Sequence, residues 1–127
     1  MRIFLVVVAA HAAKVIHRDL KPGNVLLAYA GGNITAKVAD FGLVHVLGDP
    51  ARPNVAGTLR YMAPEQVTGD WEQLGPWTDL YAMGVLTWRL AMGRRPWADL
   101  NGRRLVLAMI HHELGWFEPR IEIPPGL

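Results

Sequence analysis

The feature that most restricts how this chain can fold is a polar stretch between two apolar ones. Residues 17–24 read HRDLKPGN, with Val15-Ile16 before them and Val25-Leu26-Leu27 after them. The apolar flanks predict short buried strands that anchor a loop at both ends. The loop carries a carboxylate, an ammonium group and a carboxamide. Three groups with different chemistry are therefore expected close together on one anchored segment.

A second acidic group follows in the turn Asp40-Phe41-Gly42. The apolar segments 25–28 and 36–39 flank a strong turn signal, Gly31-Gly32-Asn33, so a β-hairpin is predicted between them. A base, a cation and two oxygen ligands on neighbouring strand ends suit phosphoryl transfer from a metal-bound nucleotide. A lone aspartate in a loop is more often a turn former or a cap, so this interpretation depends on the companion residues.

Three motifs occur in a fixed order: H-R-D-L-x-x-x-N from His17 to Asn24, then D-F-G at 40–42, then A-P-E at 63–65. Together they are the protein-kinase signature set. The chain resembles the C-terminal lobe of a protein kinase over nearly its whole length. The resemblance implies a mainly α fold with a small β-hairpin, truncated and spanning residues 1–127 as one partial kinase domain. The glycine-rich loop and the V-A-I-K lysine of the N-terminal lobe are not found in the sequence.

The resemblance also implies roles for the loop residues. Asp19 would accept the proton of the substrate hydroxyl, and Lys21 would neutralise charge on the transferred phosphoryl group. Asn24 and Asp40 would hold Mg²⁺, a hard cation that prefers oxygen ligands. The nucleotide, ATP, would contact Lys21, Asn24, Leu26 and Asp40. Lys21 also favours serine or threonine as the accepted residue over tyrosine.

Other residues would support this site by resemblance. His17 would pack against Phe41, Arg18 would face the activation loop, and Asp79 would hold the backbone of the catalytic loop. A plain alternative is that Asp79 is simply an acid in the first turn of a helix, where its negative charge interacts favourably with the helix dipole. The activation segment would contain Asp40, Phe41, Gly42, Thr58, Ala63, Pro64 and Glu65.

Two features of that segment stand out. Glu65 would be a buried carboxylate whose usual arginine partner lies beyond the central helices. Either Arg94 or Arg95 would replace that partner, or this corner of the fold would be loosened. Residues 43–56 contain no serine, threonine or tyrosine. Asp49, or no group at all, would then face Arg18 in place of a phosphorylated residue, unless Asp49-Pro50 is only a solvent-facing turn.

Three helices are predicted. Residues 3–13 are apolar nearly all round, which indicates a helix buried on most sides. Thr78 could cap a second, central helix over residues 79–92, ended by Gly93. Asn101 could cap a third over residues 103–113. The scattered tryptophans, Trp71, Trp77, Trp88, Trp97 and Trp116, indicate core positions. Surface or core roles are expected for the histidines that form no metal-spaced cluster with carboxylates: His11, His45, His111 and His112.

Charge and hydrophobicity indicate which partners the chain can have. The net charge is only +2, and the arginines are too dispersed to indicate nucleic acid. The apolar run near the N-terminus is too short to span a membrane. It imitates a short signal peptide, but cleavage there would leave the loop unsupported, so a helix is preferred. The absence of cysteine agrees with a reducing, cytoplasmic location. Apolar residues make up 51%, and a partial lobe would expose some of them and self-associate.

The resemblance therefore implies a serine/threonine protein kinase that uses ATP and Mg²⁺ on a protein substrate. Two alternatives stay open. The chain could be an inactive kinase relative that binds proteins through residues 57–65 and the last helix. It could also be part of a complete kinase whose start has been assigned too late.

Overall fold

The structure is a computed structural model that describes residues 2–41 and 59–111. Within them lie four α-helices and a two-stranded antiparallel sheet, so a mainly α architecture with one hairpin is confirmed. In chain order the elements are α1 (Arg2–Ala12), β1 (Val25–Ala30), β2 (Asn33–Val38), α2 (Pro64–Thr68), α3 (Pro76–Met92) and α4 (Gly102–Ile110). Single 3₁₀ turns precede β1 (Pro22–Asn24) and α3 (Trp71–Gln73).

The hairpin pairs Val25 with Val38 at its open end and Ala30 with Asn33 at its turn. Gly31 and Gly32 both have positive φ, which side chains rarely tolerate, so two glycines are what this two-residue turn requires. The strands are longer than predicted because pairing continues to the turn, and β2 ends at Val38 rather than at residue 39.

The core lies between α1 and α3. Val7, Leu20, Ala82 and Met83 are buried together there. The partly buried side chains of Ile3, Phe4, Val38 and Leu86 pack around them. Because β2 contributes Val38 and the polar loop contributes Leu20, the same cluster fixes the hairpin and the loop against the two helices.

The prediction that α1 is buried on most sides is wrong, since Leu5 and Val8 are exposed. Likewise α3 is buried along one face only, and its Leu80 and Leu90 lie at the surface. Both helices pack against the core through one stripe of residues. Apolar content alone could not distinguish that stripe from burial all round.

The start of α3 also differs from the prediction. The helix begins at Pro76, and Thr78 lies inside its first turn instead of preceding it. Thr78 Oγ1 accepts a hydrogen bond from the backbone N–H of Gly75 at 3.2 Å, so the threonine reaches back to the residue that precedes the helix. Proline is well suited to the first position of a helix, because an N–H at that position would have no partner within the helix. The predicted end is right: Gly93 follows Met92 with φ 69°.

Further predictions need correction. Val15 and Ile16 form no strand; the backbone turns at Lys14, whose φ is positive, and the N–H of Val15 bonds to Ala10. Trp71 and Trp77 are exposed and are not core residues. The side chain of Asn101 accepts a hydrogen bond from Arg60 and does not cap α4.

Gly42, Asp49, Thr58 and Trp116 lie outside the described residues, as do the expected loop over 43–56 and residues 112–113 of the third helix. Over the residues that are described, no helix is both long enough and apolar enough to cross a lipid bilayer.

Candidate active site

Two side chains of the polar loop converge on the carboxylate of a third. Lys21 Nζ donates to Asp19 Oδ2 at 2.7 Å. Asn24 Nδ2 donates to the backbone carbonyl of Asp19 at 2.8 Å and to Asp19 Oδ2 at 3.2 Å. The 3₁₀ turn at Pro22–Asn24 brings Asn24 back towards Asp19, and the N–H of Asn24 bonds to the carbonyl of Lys21 at 3.0 Å. The base, cation and carboxamide that the sequence placed on one loop therefore lie in direct contact.

Asp79, from the first turn of α3, holds the backbone of this loop. Its two carboxylate oxygens accept the N–H groups of His17 and Arg18, each at 2.8 Å. His11 Nε2, from the end of α1, donates to Asp79 Oδ2 at 2.7 Å. Asp79 is only 1% exposed, and a buried carboxylate is tolerated when such donors surround it. The part of His11 in this contact was not predicted; the sequence had suggested only a surface or core role.

The backbone of Arg18 is unusual in that its φ is 67°. A non-glycine residue in this left-handed region costs about 1 kcal/mol or more and persists where its surroundings hold it. Here both sides of the residue are held. Asp79 accepts from its N–H, and the side-chain Nε2 of Gln66 donates to its carbonyl at 2.7 Å.

His17 links the loop to the Asp40 turn. Its Nε2 bonds to the carbonyl of Ala39 at 2.8 Å, while its Nδ1 accepts from the N–H of Asp19 at 3.3 Å. A backbone N–H can only donate, so this network assigns the ring proton to Nε2. The ring also contacts Phe41, with centroids 4.8 Å apart and planes tilted by 55°. His17 is buried, as a packing residue should be.

The hairpin positions the second acid. Below the Val25–Val38 pair, the N–H of Ala39 donates to the carbonyl of Asn24 at 2.8 Å, which continues the ladder by one bond. Asp40 follows immediately, with φ 58°. The Asn24 loop and the Asp40 turn are thus brought together at the open end of one hairpin.

The donor set fits a hard cation and a nucleotide. Both bonds of the Asn24 carboxamide to Asp19 use its nitrogen, so its oxygen is the end available to a cation. Asp40 adds a solvent-exposed carboxylate, and Mg²⁺ prefers a small number of such oxygens together with water and phosphate. Leu26 on β1 is 54% exposed and offers apolar surface nearby. Nothing among the described residues gathers three histidine, aspartate or glutamate side chains into a metal cluster.

The A-P-E segment packs differently from the prediction. Glu65 Oε1 accepts a hydrogen bond from Thr78 Oγ1 at 2.7 Å, which joins α2 to the first turn of α3. Arg94 Nη1 lies 3.7 Å from Asp99 Oδ2, and among the described residues neither Arg94 nor Arg95 forms an ion pair with Glu65. Burial, together with the neighbouring Glu65 carboxylate, raises the pKa of Tyr81 to about 12. Ala63 is buried, and Pro64 begins α2. The contact of the buried Gln66 with Arg18 was not predicted from the sequence.

A model of the protein kinase domain matches residues 1–123. The chain belongs to the protein kinase family. Serine/threonine-protein kinase PknA of Mycobacterium tuberculosis is 37% identical over 121 residues, which are 93% of this chain and 26% of that protein. Serine/threonine-protein kinase Pkn1 of Myxococcus xanthus is 40% identical over 125 residues, 94% of this chain and 17% of that protein. Aurora kinase of Encephalitozoon cuniculi is 41% identical over 87 residues, 68% of this chain and 30% of that protein.

The family inferred from three short motifs is therefore confirmed, and similar proteins named serine/threonine kinases match over most of the chain. The chain spans less than a third of the length of each of these kinases. The loop at 17–24, the hairpin and the Asp40 turn all fall inside the region that the family model matches.

Proposed function

We propose that this chain carries the phosphoryl-transfer half of a serine/threonine protein kinase, acting on protein hydroxyls in the cytoplasm. The observation that carries the proposal is the contact of Asp19 with both Lys21 and Asn24, at the end of the hairpin that also presents Asp40. In this proposal residues 1–127 form the part of a kinase domain that holds the catalytic loop, the activation segment and the central helix.

Each loop residue then has a role. Asp19 orients the substrate hydroxyl and accepts its proton as the oxygen attacks. Lys21, a compact charge on a flexible stem, reaches from Asp19 to the transferred phosphoryl group. Asn24 and Asp40 would hold Mg²⁺, and Leu26 would lie against the adenine. When bound, ATP would supply the phosphoryl group and leave as ADP, and Mg²⁺ would neutralise the charge that develops on the transferred group.

Supporting residues keep this geometry fixed. Asp79 and His11 hold the loop from below, and the contact of His17 with Ala39 ties the loop to the Asp40 turn. Holding reacting groups in position is most of what a protein contributes to phosphoryl transfer, because the reaction needs little covalent chemistry from side chains. A rigid scaffold under Asp19 is therefore what the proposed reaction requires.

The test uses two proteins. One is the 127-residue chain; the other, called the chimaera below, fuses the segment that precedes the matched region in Mycobacterium tuberculosis PknA ahead of this chain. Radiolabelled ATP, Mg²⁺ and a mixture of protein substrates would be supplied to each. We expect phosphoserine and phosphothreonine, and no phosphotyrosine, from the chimaera. A chimaera that binds protein substrates but transfers no phosphate would favour the inactive binding module instead.

A further inference from the structure

Gln66 is a buried polar side chain, 9% exposed, to which the kinase signature assigns no task. Both ends of its carboxamide are used. Oε1 accepts the backbone N–H of Ala63 at 3.0 Å, and Nε2 donates to the backbone carbonyl of Arg18 at 2.7 Å. The two partners are 45 residues apart in the sequence and belong to different functional segments, the A-P-E end of the activation segment and the catalytic loop.

The bond to Ala63 is local. Gln66 is the third residue of α2, and a glutamine or glutamate at this position commonly reaches back to the N–H of the residue that precedes the helix. That bond satisfies one of the donors left over at a helix start. It explains a glutamine or a glutamate equally well, because either side chain offers the accepting oxygen.

The bond to Arg18 is not local, and only the amide can make it. A carbonyl needs a donor, which glutamine has and ionised glutamate lacks. The Arg18 carbonyl belongs to the peptide group whose nitrogen is that of Asp19, and that N–H is bonded to His17 Nδ1. Gln66 therefore holds one end of the peptide plane immediately before the proposed base.

The strained backbone at Arg18 makes this contact consequential. With φ at 67°, the residue needs restraint from both sides, and its N–H is already held by Asp79. Without Gln66 the Arg18 carbonyl would be left to other partners, and the peptide plane could rotate. We infer that Gln66 is a positioning residue that couples the end of the activation segment to the catalytic loop by fixing the Arg18–Asp19 peptide.

Only the expected effect on kinetics rests on the proposed kinase function; the contact itself does not depend on it. Asp19 would lose its alignment with the hydroxyl of a substrate bound at the A-P-E end, while Asn24 and Asp40 keep their hairpin contacts. We therefore expect loss of Gln66 to lower kcat for a protein substrate without changing the KM for Mg²⁺-ATP.

Two substitutions separate the two bonds. Gln66→Glu keeps the acceptor for Ala63 and removes the donor for Arg18, whereas Gln66→Met removes both and adds no charge. Gln73→Glu is the matched control, because Gln73 is exposed and, among the contacts described, its side chain bonds only to the nearby Asp70. Hydrogen exchange of the 127-residue chain, followed amide by amide, needs no activity. It reports the Ala63 bond directly, and it reports the bond to the Arg18 carbonyl through the protection of the neighbouring Arg18 and Asp19 amides.

We expect Gln66→Glu to speed exchange at the amides of Arg18 and Asp19 at least tenfold and to leave Ala63 protected. Gln66→Met should speed all three, and Gln73→Glu none. Arg18 and Asp19 amides that exchange at the wild-type rate in Gln66→Glu would overturn the inference. If that variant does not fold, Gln66→Met decides instead, and wild-type rates at Arg18 and Asp19 would again overturn it.

Kinetics on the chimaera give the second readout. Gln66→Glu and Gln66→Met should lower kcat about 10- to 100-fold, the scale expected when a reacting group is displaced by about 1 Å. The KM for ATP should stay within twofold. A fall in kcat accompanied by an equally large rise in the KM for ATP would indicate general damage to the fold and contradict a positioning role. An inactive wild-type chimaera would count against the proposed function alone, since the exchange experiment does not depend on it.

Discussion

The buried side chain of Asp79 holds the backbone of the catalytic loop through two hydrogen bonds. Its buried charge accepts hydrogen bonds from two backbone N–H groups and one imidazole. Asp79→Asn would keep only one accepting oxygen and would point an NH₂ group at a donor. Each lost bond to a charged group costs about 1.5–3 kcal/mol. We expect the free energy of unfolding to fall by at least that amount, measured by urea titration with Asp99→Asn as the exposed control. A loss below roughly 0.5 kcal/mol, the range typical of surface substitutions, would contradict this account.

The proposed chemistry predicts different effects for the two acids of the site. In the chimaera, Asp19→Asn should lower phosphotransfer about 10²- to 10⁴-fold, the usual contribution of a general base, and leave Mg²⁺-dependent nucleotide binding nearly unchanged. Asp40→Ala should weaken both, because it removes an oxygen ligand of the cation. The rate would be followed by radiolabel transfer and the binding by calorimetry at several Mg²⁺ concentrations. Asp19→Asn with most of the wild-type rate would show that the base is assigned wrongly.

Tyr81 provides a prediction for alkaline pH. Its hydroxyl is buried and has no hydrogen-bond partner among the described residues, and burial together with the Glu65 carboxylate raises its pKa from 10.0 to about 12. The unfolded chain therefore releases this proton at a lower pH than the folded chain does. The free energy of unfolding should fall as the pH rises from about 10 to about 12.

Tyr81→Phe removes that ionisation and should flatten this part of the pH dependence. At neutral pH the substitution should leave stability unchanged or raise it, because it deletes a buried polar group that lacks a partner. Thermal melts between pH 7 and 12 would test both points, with the exposed Tyr29→Phe as control. A variant that keeps the full alkaline loss would assign that loss to other groups.

Between elements, Thr78 joins α2 to α3. Its hydroxyl accepts from Gly75 and donates to Glu65, and its side chain is buried. Thr78→Val keeps the shape and deletes both bonds, so we expect a loss of about 1–3 kcal/mol. Chemical denaturation would measure it against Thr87→Val, an exposed position on the same helix. Equal, small effects of the two substitutions would remove Thr78 from the account of how these helices are joined.

Sequence patterns located these elements better than they located their surroundings. The hairpin followed from Gly31-Gly32, and the end of α3 followed from Gly93, because backbone conformation at a turn depends on local residue type. Burial depends on which face meets a neighbour, so the all-round apolar pattern of α1 could not reveal that Leu5 and Val8 would be exposed.

The site shows the same division. Asp19, Lys21 and Asn24 were predicted together because they lie on one short loop. The bonds of His11 to Asp79 and of Gln66 to Arg18 join residues 68 and 48 positions apart. No local pattern encodes such contacts, since they depend on how whole elements pack. Resemblance supplied Asp79, but it supplied neither His11 nor Gln66.

For the molecule as a whole, the exposed apolar side chains predict association. Leu27 and Tyr29 of β1 are 72% and 76% exposed, and Ile34 of β2 lies opposite Tyr29. Such clusters on a surface favour contact with other chains. We expect concentration-dependent oligomers in sedimentation velocity, and a larger monomer fraction after Leu27→Thr with Tyr29→Thr. Lys37→Thr, also on the hairpin, is the control. A clean monomer with a sharp cooperative melt would refute this expectation.

The bonds of Asp79 to His17 and Arg18 close a segment of about sixty residues, since the partners are 62 and 61 positions apart. Ordering so long a segment is paid in chain entropy before the bonds form. During synthesis the polar loop leaves the ribosome well before Asp79 does, so Asp79 cannot hold the His17 and Arg18 backbone while the chain is only partly made. We therefore expect the backbone of His17 and Arg18, which Asp79 holds, to become fixed late in folding, after α3 has docked. A growing chain therefore contains His17 and Arg18 long before it contains the carboxylate that holds their backbone.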